Sequence, residues 1–274
     1  MTHSAPVERH ADWVERSPIA RFLRHSGAIA AVELDKLVRD PTEILTRAVQ
    51  PALWLIVFGE VFTRTRVIPT GSVSYLDFMA PGVLAQSVLF TAIFYGIAVI
   101  WERDLGIVHK LLVSPASRGA LVFGKSLAAG LRALTQAVII ILLTLALGVH
   151  VQLTFLHLAG IALVIVLGGA LFSTFSFVIA CLVKTRERFM GIGQVLTMPL
   201  FFASNAIYPL SMMPSWLERV ARFNPLTYLV SALRVLMLPG EQGALSLTTD
   251  LGVLALVFAL LVVVGARLYP GIAR

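Results

Sequence analysis

Long uncharged, apolar stretches constrain the fold of this chain more than any other feature. An α-helix of about 20 apolar residues crosses the roughly 30 Å hydrocarbon core of a bilayer. With 58% hydrophobic and 14% charged residues, the 274-residue chain is too apolar for a single soluble domain. The sequence therefore predicts an all-α, polytopic membrane protein. The stretches without Asp, Glu, Lys or Arg are 78–101, 133–149, 153–183, 189–213 and 251–266.

Six transmembrane helices are predicted from these stretches and the residues around them. The first is the least regular, because Arg47, Gln50 and Glu60 interrupt it and Pro51 is expected to bend it. Together the six helices make residues 41–274 one transmembrane domain. Their approximate bounds are 44–62, 78–101, 123–148, 155–183, 189–209 and 249–267.

Two segments are predicted before the first span. Residues 1–16 are polar, without the basic start and apolar core of a cleaved signal peptide, and are interpreted as a cytoplasmic tail. Ser17-Pro18 is a helix start, with serine at the cap and proline in the first turn. Between 17 and 40, apolar residues at helical spacing alternate with basic ones. This pattern predicts an amphipathic interfacial helix, with its basic residues toward the headgroups of membrane lipids.

A charged island at residues 102–115 separates the second and third spans. Apolar residues recur at intervals of three and four from Leu105 to Leu112, which predicts a short helix with one apolar face. Such a helix between two spans suits a docking surface for a soluble partner, although the same pattern also fits a solvated connection. The residues assigned to this surface are Glu102, Arg103, Asp104, Gly106, Lys110, Leu111, Leu112, Ser114 and Pro115.

The region 210–238 is too short for two further crossings and too apolar for an ordinary loop. Asn224-Pro225 is a second cap-plus-proline helix start, and Pro239-Gly240 is a stop. A pair of re-entrant helices that dips into the membrane from the external side accounts for this pattern. Asn224, Pro225 and Arg234 mark this external motif.

Basic residues are distributed unequally about the predicted spans. They are frequent before the first span, in the island and at 184–188, and sparse at 64–66 and around 150. Because Lys and Arg concentrate in cytoplasmic segments, this bias predicts that both termini are cytoplasmic. The net charge of +7 has the same origin, so no nucleic-acid partner is expected.

Several segments together resemble the membrane subunits of type-2 ABC exporters, and are most similar to the daunorubicin-resistance branch, which carries out multidrug efflux. Each segment alone is weak, but their order and spacing cover nearly the whole chain after about residue 30. The segments are 39–41, 47–54, 58–62, Ala80-Pro81-Gly82, the island 102–115, Asn224-Pro225-Leu226 and Ala232-Leu233-Arg234.

The resemblance implies a half-transporter in the inner membrane of a bacterial cell, paired with a second permease subunit that is identical or related. It also implies that the island is a coupling helix for an ABC ATPase subunit. The chain is expected to lack a G-x-x-x-x-G-K-[ST] phosphate loop, which places ATP and Mg²⁺ on that separate subunit. The implied activity is export of a hydrophobic or amphipathic compound, drug-like or lipid-like. Export of a glycolipid or polysaccharide precursor is the alternative.

Polar residues inside the predicted spans are candidates for the translocation path. Arg132 lies deep enough in the third span to be costly in lipid, so it is expected to face protein or water. For the amide side chains, hydrogen bonds between helices are favoured over contacts with a substrate. The candidates are Gln86, Arg132, Gln136, Gln194 and Asn205.

Other chemistries have little support in the sequence. The six histidines form no H-E-x-x-H pattern and no G-x-S-x-G elbow is present, so no catalytic residue, metal ligand or cofactor site is assigned. Paired buried carboxylates, expected in a secondary transporter, are missing from the predicted spans. A membrane enzyme or a secondary transporter therefore stays a lesser alternative, and the chain is not expected to be an enzyme by itself.

Overall fold

The computed structural model describes residues 17–39, 49–65, 74–114, 116–183, 185–239 and 246–273. Within these ranges every regular element is helical, and the predicted all-α membrane fold is confirmed. The predicted tail 1–16, the beginning of the first span with Arg47, and Pro115 lie outside the described residues. The helices are α1 (Pro18–Arg39), α2 (49–65), α3 (Tyr75–Asp104), α4 (Ile107–Leu112), α5 (Arg118–Ala146), α6 (Phe155–Leu182), α7 (Arg186–Phe202), α8 (Ser215–Phe223), α9 (Pro225–Met237) and α10 (Leu247–Leu268), with short 3₁₀ turns at Leu210–Met212 and Tyr269–Ala273.

Four of the described helices, α3, α5, α6 and α10, are long and apolar enough to cross a bilayer. In contrast, α2 contains a π-helical segment at Trp54–Gly59, and α7 has 17 residues with Pro199 inside it. At 1.5 Å per residue α7 is about 25 Å long, less than the roughly 30 Å of hydrocarbon. The count of six spans therefore stays a prediction. The helix of the predicted third span begins at Arg118 rather than near 123.

Helix α3 lies at the centre of the fold. A capping box fixes its start, since Asp77 N donates to Ser74 Oγ at 3.1 Å and Ser74 N donates to Asp77 Oδ2 at 3.3 Å. From Phe78 to Ile93 nearly every side chain is buried, because α5, α6, α7 and α9 all contact this helix. A helix that is apolar on all sides is expected in such a central place.

Small residues let α5 and α6 approach each other closely. A Cβ at Gly130 would collide with the backbone oxygen of Val166, and one at Gly169 would lie 2.9 Å from Gly130 Cα. Nearby, the buried hydroxyls of Ser126 and Thr174 form a hydrogen bond of 2.7 Å between the two helices. Both features are typical of helix pairs packed within a membrane.

Helix α9 runs back along α6 over a short distance. Its 13 residues span about 20 Å. Leu236 lies against Gly160 and Leu229 lies against Gly168, so the two helices are antiparallel. A helix of this length, packed against a longer apolar one, has the dimensions expected of a re-entrant element.

Asn224 joins the start of α9 to the end of α7. Its Oδ1 accepts a hydrogen bond from Leu226 N at 3.0 Å, while its Nδ2 donates to Leu200 O at 2.6 Å and to Ala203 O at 2.8 Å. Pro225 occupies the first turn of α9, where the missing N–H has little cost. The asparagine cap therefore starts one helix and anchors the neighbouring one.

A second apolar cluster, here called the end cluster, joins one end of the bundle. Its residues come from the last turns of α3, from α4, from the starts of α5 and α7, from the end of α6 and from the segment after α10. Because close-packed side chains transmit strain, displacement of one of these helix ends is resisted by the others. The members are Val99, Ile100, Val108, Leu121, Val122, Phe177, Ile179, Ala180, Phe189 and Tyr269.

Gly130 and Gly252 provide a matched test of the α5–α6 packing. Gly130→Ala is expected to lower the free energy of unfolding by about 1–3 kcal/mol, because the added methyl group meets the Val166 backbone. Gly252→Ala places its methyl group in open space on α10, so stability should be unchanged or rise by up to about 1 kcal/mol through helix propensity. Thermal unfolding of both variants in detergent measures the difference. Equal stability would contradict the close approach.

Candidate coupling site

The predicted coupling helix of residues 102–115 is divided in two. Residues 102–104 form the last turn of α3, the chain turns at Leu105-Gly106, and α4 covers Ile107–Leu112. Gly106 has φ +71°, a left-handed conformation that residues other than glycine rarely adopt. An added Cβ would meet nothing within 4 Å, so it is the turn itself that favours glycine.

The connection from α4 to α5 is short and hydrogen-bonded at both ends. Ser114 Oγ donates to Leu111 O at 2.7 Å and closes the last turn of α4. Ser117 caps α5, where its Oγ accepts from Ala120 N at 3.3 Å. The island is therefore held between two long helices with little slack on either side.

Helix α4 directs its predicted anchors inward. Val108 is fully buried, and Leu111 and Leu112 pack against the end cluster. The exposed apolar side chains flank the helix instead, since Leu105 is 68% exposed and Val113 is 85% exposed. The apolar area open to a soluble partner thus differs from the Leu111-Leu112 pair assigned from the sequence. We call the exposed residues the outer α4 surface: Leu105, Ile107, His109, Lys110 and Val113.

A buried charge cluster, formed by Glu33, Glu102 and Lys125, lies at the end of α3. Lys125 Nζ on α5 is 2.5 Å from Glu102 Oε2 on α3 and 3.5 Å from Glu33 Oε1 on α1. All three residues are buried. Removing one partner of a buried ion pair is strongly destabilising, because it leaves a charge uncompensated inside the protein. The cluster therefore fixes α1, α3 and α5 relative to one another.

Tyr95 and Arg132 lie beside the buried charge cluster. Tyr95 is buried close to Glu33 and Glu102. The guanidinium carbon of Arg132 lies 5.6 Å from the centroid of the Tyr95 ring, within the range of a cation–π contact. Arg132 thus contacts protein, as its depth in the span requires. Two acidic and two basic groups are gathered here on three helices.

A surface link joins the end of α3 to the start of α7. Asp104 accepts a hydrogen bond from Arg103 Nη2 at 3.0 Å and another from Arg186 Nη2 at 2.8 Å. The Arg186 guanidinium also lies 4.3 Å from the centroid of the Trp101 ring, a cation–π contact that orients the planar group. Exposed pairs of this kind add little stability, but this one sets the direction in which α7 leaves the island.

The predicted path residues do not form one surface within the single chain. Gln86 and Gln136 are buried in the bundle, whereas Gln194 is exposed on α7. Asn205 is buried, and its backbone oxygen accepts a hydrogen bond from Arg234 Nη2 at 2.9 Å. The assignment of these side chains to a translocation path stays a prediction.

Arg234 of the predicted external motif ties α9 to the start of α3. Its guanidinium carbon is 3.9 Å from the centroid of the Phe78 ring, and its Nη2 donates to Phe78 O at 3.3 Å. The same nitrogen reaches Asn205, in the turn after α7. A buried cation with ring and carbonyl contacts of this kind holds three separate segments together.

Sequence reasoning did not assign Glu33, Lys125 or Arg186 to the site. A signal existed for Lys125, since a lone cation within the apolar start of α5 needs a partner inside the protein. Glu33 shares one face of α1 with the buried Ser26 and Ala30, at helical spacing. For Arg186, periodicity offers no signal, because its partner belongs to a different loop.

The expectation that no phosphate-loop pattern occurs is wrong. Residues 119–126, GALVFGKS, match G-x-x-x-x-G-K-[ST]. They lie within α5, where backbone N–H groups bond inside the helix, whereas a phosphate loop offers free N–H groups ahead of a helix. Gly124 packs against the Ser26 backbone, and Lys125 is paired with two carboxylates. In this conformation the segment is not a nucleotide site.

Comparison with known proteins shows what kind of membrane protein contains this arrangement. The family model for ABC-2 type transporters matches residues 26–238. The chain belongs to the ABC-2 type transporter family. The matched region extends from α1 to the end of α9, so it includes the buried charge cluster and the whole island of this ABC-2 chain.

Relatives of this ABC-2 chain carry the names of permeases. It is 31% identical over 211 residues to a protein named as transport permease ycf38 of Cyanophora paradoxa, covering 73% of this chain and 70% of the relative. It is 27% identical over 228 residues to the daunorubicin resistance ABC transporter permease protein DrrB1 of Streptomyces coeruleorubidus, covering 83% and 78%. It is also 27% identical over 197 residues to nodulation protein J of Rhizobium leguminosarum bv. trifolii, covering 71% and 74%. The predicted family resemblance is confirmed.

Charge substitutions test the buried charge cluster. Lys125→Met is expected to lower the free energy of unfolding by about 3–5 kcal/mol, because Glu33 and Glu102 lose the ammonium group between them. Adding Glu33→Gln and Glu102→Gln to Lys125→Met should recover most of that loss, since both carboxylates then become neutral amides. The exposed Lys110→Met is the control and should change little. Thermal unfolding in detergent measures all four proteins. A triple variant no more stable than Lys125→Met would contradict the charge argument.

Proposed function

We propose that this ABC-2 chain is the membrane subunit of an ATP-driven exporter in the inner membrane of a bacterial cell. It works with a separate ABC ATPase subunit, which binds ATP and Mg²⁺, and with a second permease subunit that is identical or related. The observation that carries the proposal is the outer α4 surface, exposed on a short helix that the end cluster braces from behind.

The cargo is a hydrophobic or amphipathic compound, drug-like or lipid-like. Support for this class comes from the relative DrrB1, which is named for daunorubicin resistance and covers most of this chain. The apolar side chains that α7 exposes along its length are consistent with a path or an interface for apolar groups. Those side chains are Met190, Ile192, Val195, Met198 and Phe202.

Movement of α4 reaches several spans through contacts already described. Val108 carries the displacement into the end cluster, where the ends of α3, α5 and α6 meet. At the same place Glu102 holds Lys125 and Glu33, so α1 moves with α3 and α5. The Asp104–Arg186 pair passes the displacement to α7. A short helix with such attachments acts as a lever, whereas a loose loop would absorb the movement.

The α4 end of the bundle is the cytoplasmic end in this proposal. Ser26 of α1 donates to Ala120 O near the start of α5 at 3.2 Å, and the 3₁₀ turn after α10 contacts α4. The segments gathered here are the ones richest in Lys and Arg, whereas the starts of α3 and α6 lie at the opposite end. The positive-inside rule then places α4 toward the ATPase.

Reporter fusions test this orientation. A reporter joined after Arg274 is expected to be active in the cytoplasm, and one inserted at Gly71 is expected to be active outside, because an odd number of crossings separates the two sites. Paired alkaline phosphatase and fluorescent-protein fusions at each position give opposite signals on the two sides. The reverse pattern would place α4 outside the cell and exclude its contact with an ATPase.

Serine substitutions test the outer α4 surface. Leu105→Ser with Val113→Ser should weaken association with the ATPase subunit by at least about tenfold, since burying each such side chain contributes about 1.5–3 kcal/mol. Transport should fall in parallel while membrane insertion is unchanged. Co-purification of the ATPase and transport of a fluorescent amphipathic dye are the measurements.

The matched control removes two equally exposed apolar side chains at the opposite end. Phe155 and Leu156 are 86% and 76% exposed at the start of α6. Phe155→Ser with Leu156→Ser should leave ATPase association at the wild-type level. If both pairs of substitutions had the same effect, α4 would not be the docking element.

A further inference from the structure

We propose that Tyr269 is a positioning residue that fastens α4 to the end of the last span, so that the coupling helix and α10 move together. This inference rests on the proposed exporter function for its consequence. The contact itself is defined by the described residues alone. It adds α10 to the helices that respond to the outer α4 surface, although the coupling island is attached in sequence only to α3 and α5.

The burial of Tyr269 contrasts with the exposure of the helix before it. Along α10 the buried residues are Asp250, Leu254 and Gly265, while Leu256, Leu260 and Val263 are at least half exposed. Immediately after this helix, Tyr269 is 0% exposed and belongs to the end cluster. The last span is therefore loosely packed along its length and firmly seated at its end.

The ring of Tyr269 lies between α6 and α4. Its centroid is 5.3 Å from that of Phe177 on α6, in a tilted arrangement that favours aromatic pairs. The 3₁₀ turn that it begins, Tyr269–Ala273, contacts both α6 and α4. Val108, the one fully buried residue of α4 among the described side chains, lies in the same cluster.

The last turns of α10 support this seat. A Cβ at Gly265 would lie 3.3 Å from Phe177 Cδ1 and 3.3 Å from Val122 Cγ1, so the backbone of α10 comes close to α5 and α6 here. Gly265 and Tyr269 are four residues apart and lie on one helical face. Together they bring the end of α10 to the place where α4 packs.

The aromatic ring, rather than the hydroxyl group, makes the contact. Within the part of the chain that the structure describes, the Tyr269 hydroxyl has no hydrogen-bond partner. Phenylalanine keeps the ring and its packing, whereas alanine leaves a cavity that the surrounding helices can fill only in part. Tyr269→Phe is therefore expected to behave as the wild type and Tyr269→Ala is not.

The experiment measures the mobility of α4 in the purified permease without any ATPase. Cys181 is the only cysteine, so a Cys181→Ser background with Val113→Cys accepts one spin label beside α4, at a site that is 85% exposed. Tyr269→Ala should increase the mobility of this label several-fold in its electron paramagnetic resonance spectrum. Tyr269→Phe should leave the spectrum unchanged, and Phe155→Ala, which removes an exposed ring at the other end, is the control for nonspecific effects.

A second readout uses the reconstituted complex with its ATPase subunit. Tyr269→Ala should raise the amount of ATP hydrolysed per molecule of dye transported several-fold, while Tyr269→Phe keeps the wild-type ratio. Tyr269→Leu keeps part of the apolar volume and should give intermediate values in both readouts. It also replaces Tyr269→Ala if that variant fails to fold.

The outcomes separate the two proposals. An unchanged label spectrum in folded Tyr269→Ala or Tyr269→Leu overturns the positioning role. So does a Tyr269→Phe variant that is as mobile as Tyr269→Ala. If the spectra change as expected but the wild-type complex neither hydrolyses ATP nor transports dye, the contact stands and the exporter function fails.

Discussion

The ammonium group of Lys125 constrains one whole end of this bundle. Two carboxylates, from α1 and α3, approach it in an interior that is otherwise apolar. In a medium of low dielectric constant, separating such charges is far more costly than sliding apolar side chains past one another. The three helices are therefore joined rigidly at this point, whatever adjustments occur elsewhere.

The end cluster complements that rigid point with an adaptable one. Apolar contacts have no preferred direction, so the packing around Val108 and Tyr269 can shift while remaining buried. One side of the island is thus attached through charge and the other through packing. A displacement of α4 has a fixed pivot at Glu102 and a surface on which it can move. This division suits an element that must transmit motion without coming apart.

The sequence was sufficient for what depends on local pattern, and insufficient for what depends on partners. Uncharged length predicts the long helices, and Asn224-Pro225 predicts the start of α9, because both effects are local. The apolar face of α4 was also visible, but spacing alone does not say whether Leu111 faces its own bundle or another subunit. The pair of Glu33 and Lys125 spans 92 positions, a distance over which periodicity carries no information. The segment 119–126 shows the reverse case, since its letters match a nucleotide motif and its helical backbone excludes one.

The buried charge cluster also orders events during biogenesis. Glu33 leaves the ribosome 92 residues ahead of Lys125, and 69 residues ahead of Glu102, whose own distance from Lys125 is 23. A carboxylate cannot enter the apolar interior before its cation is there. The first helix to be synthesised must therefore wait at the water-facing surface until α5 has been inserted. Docking of the N-terminal helix is a late step of assembly, set by a residue near the middle of the chain.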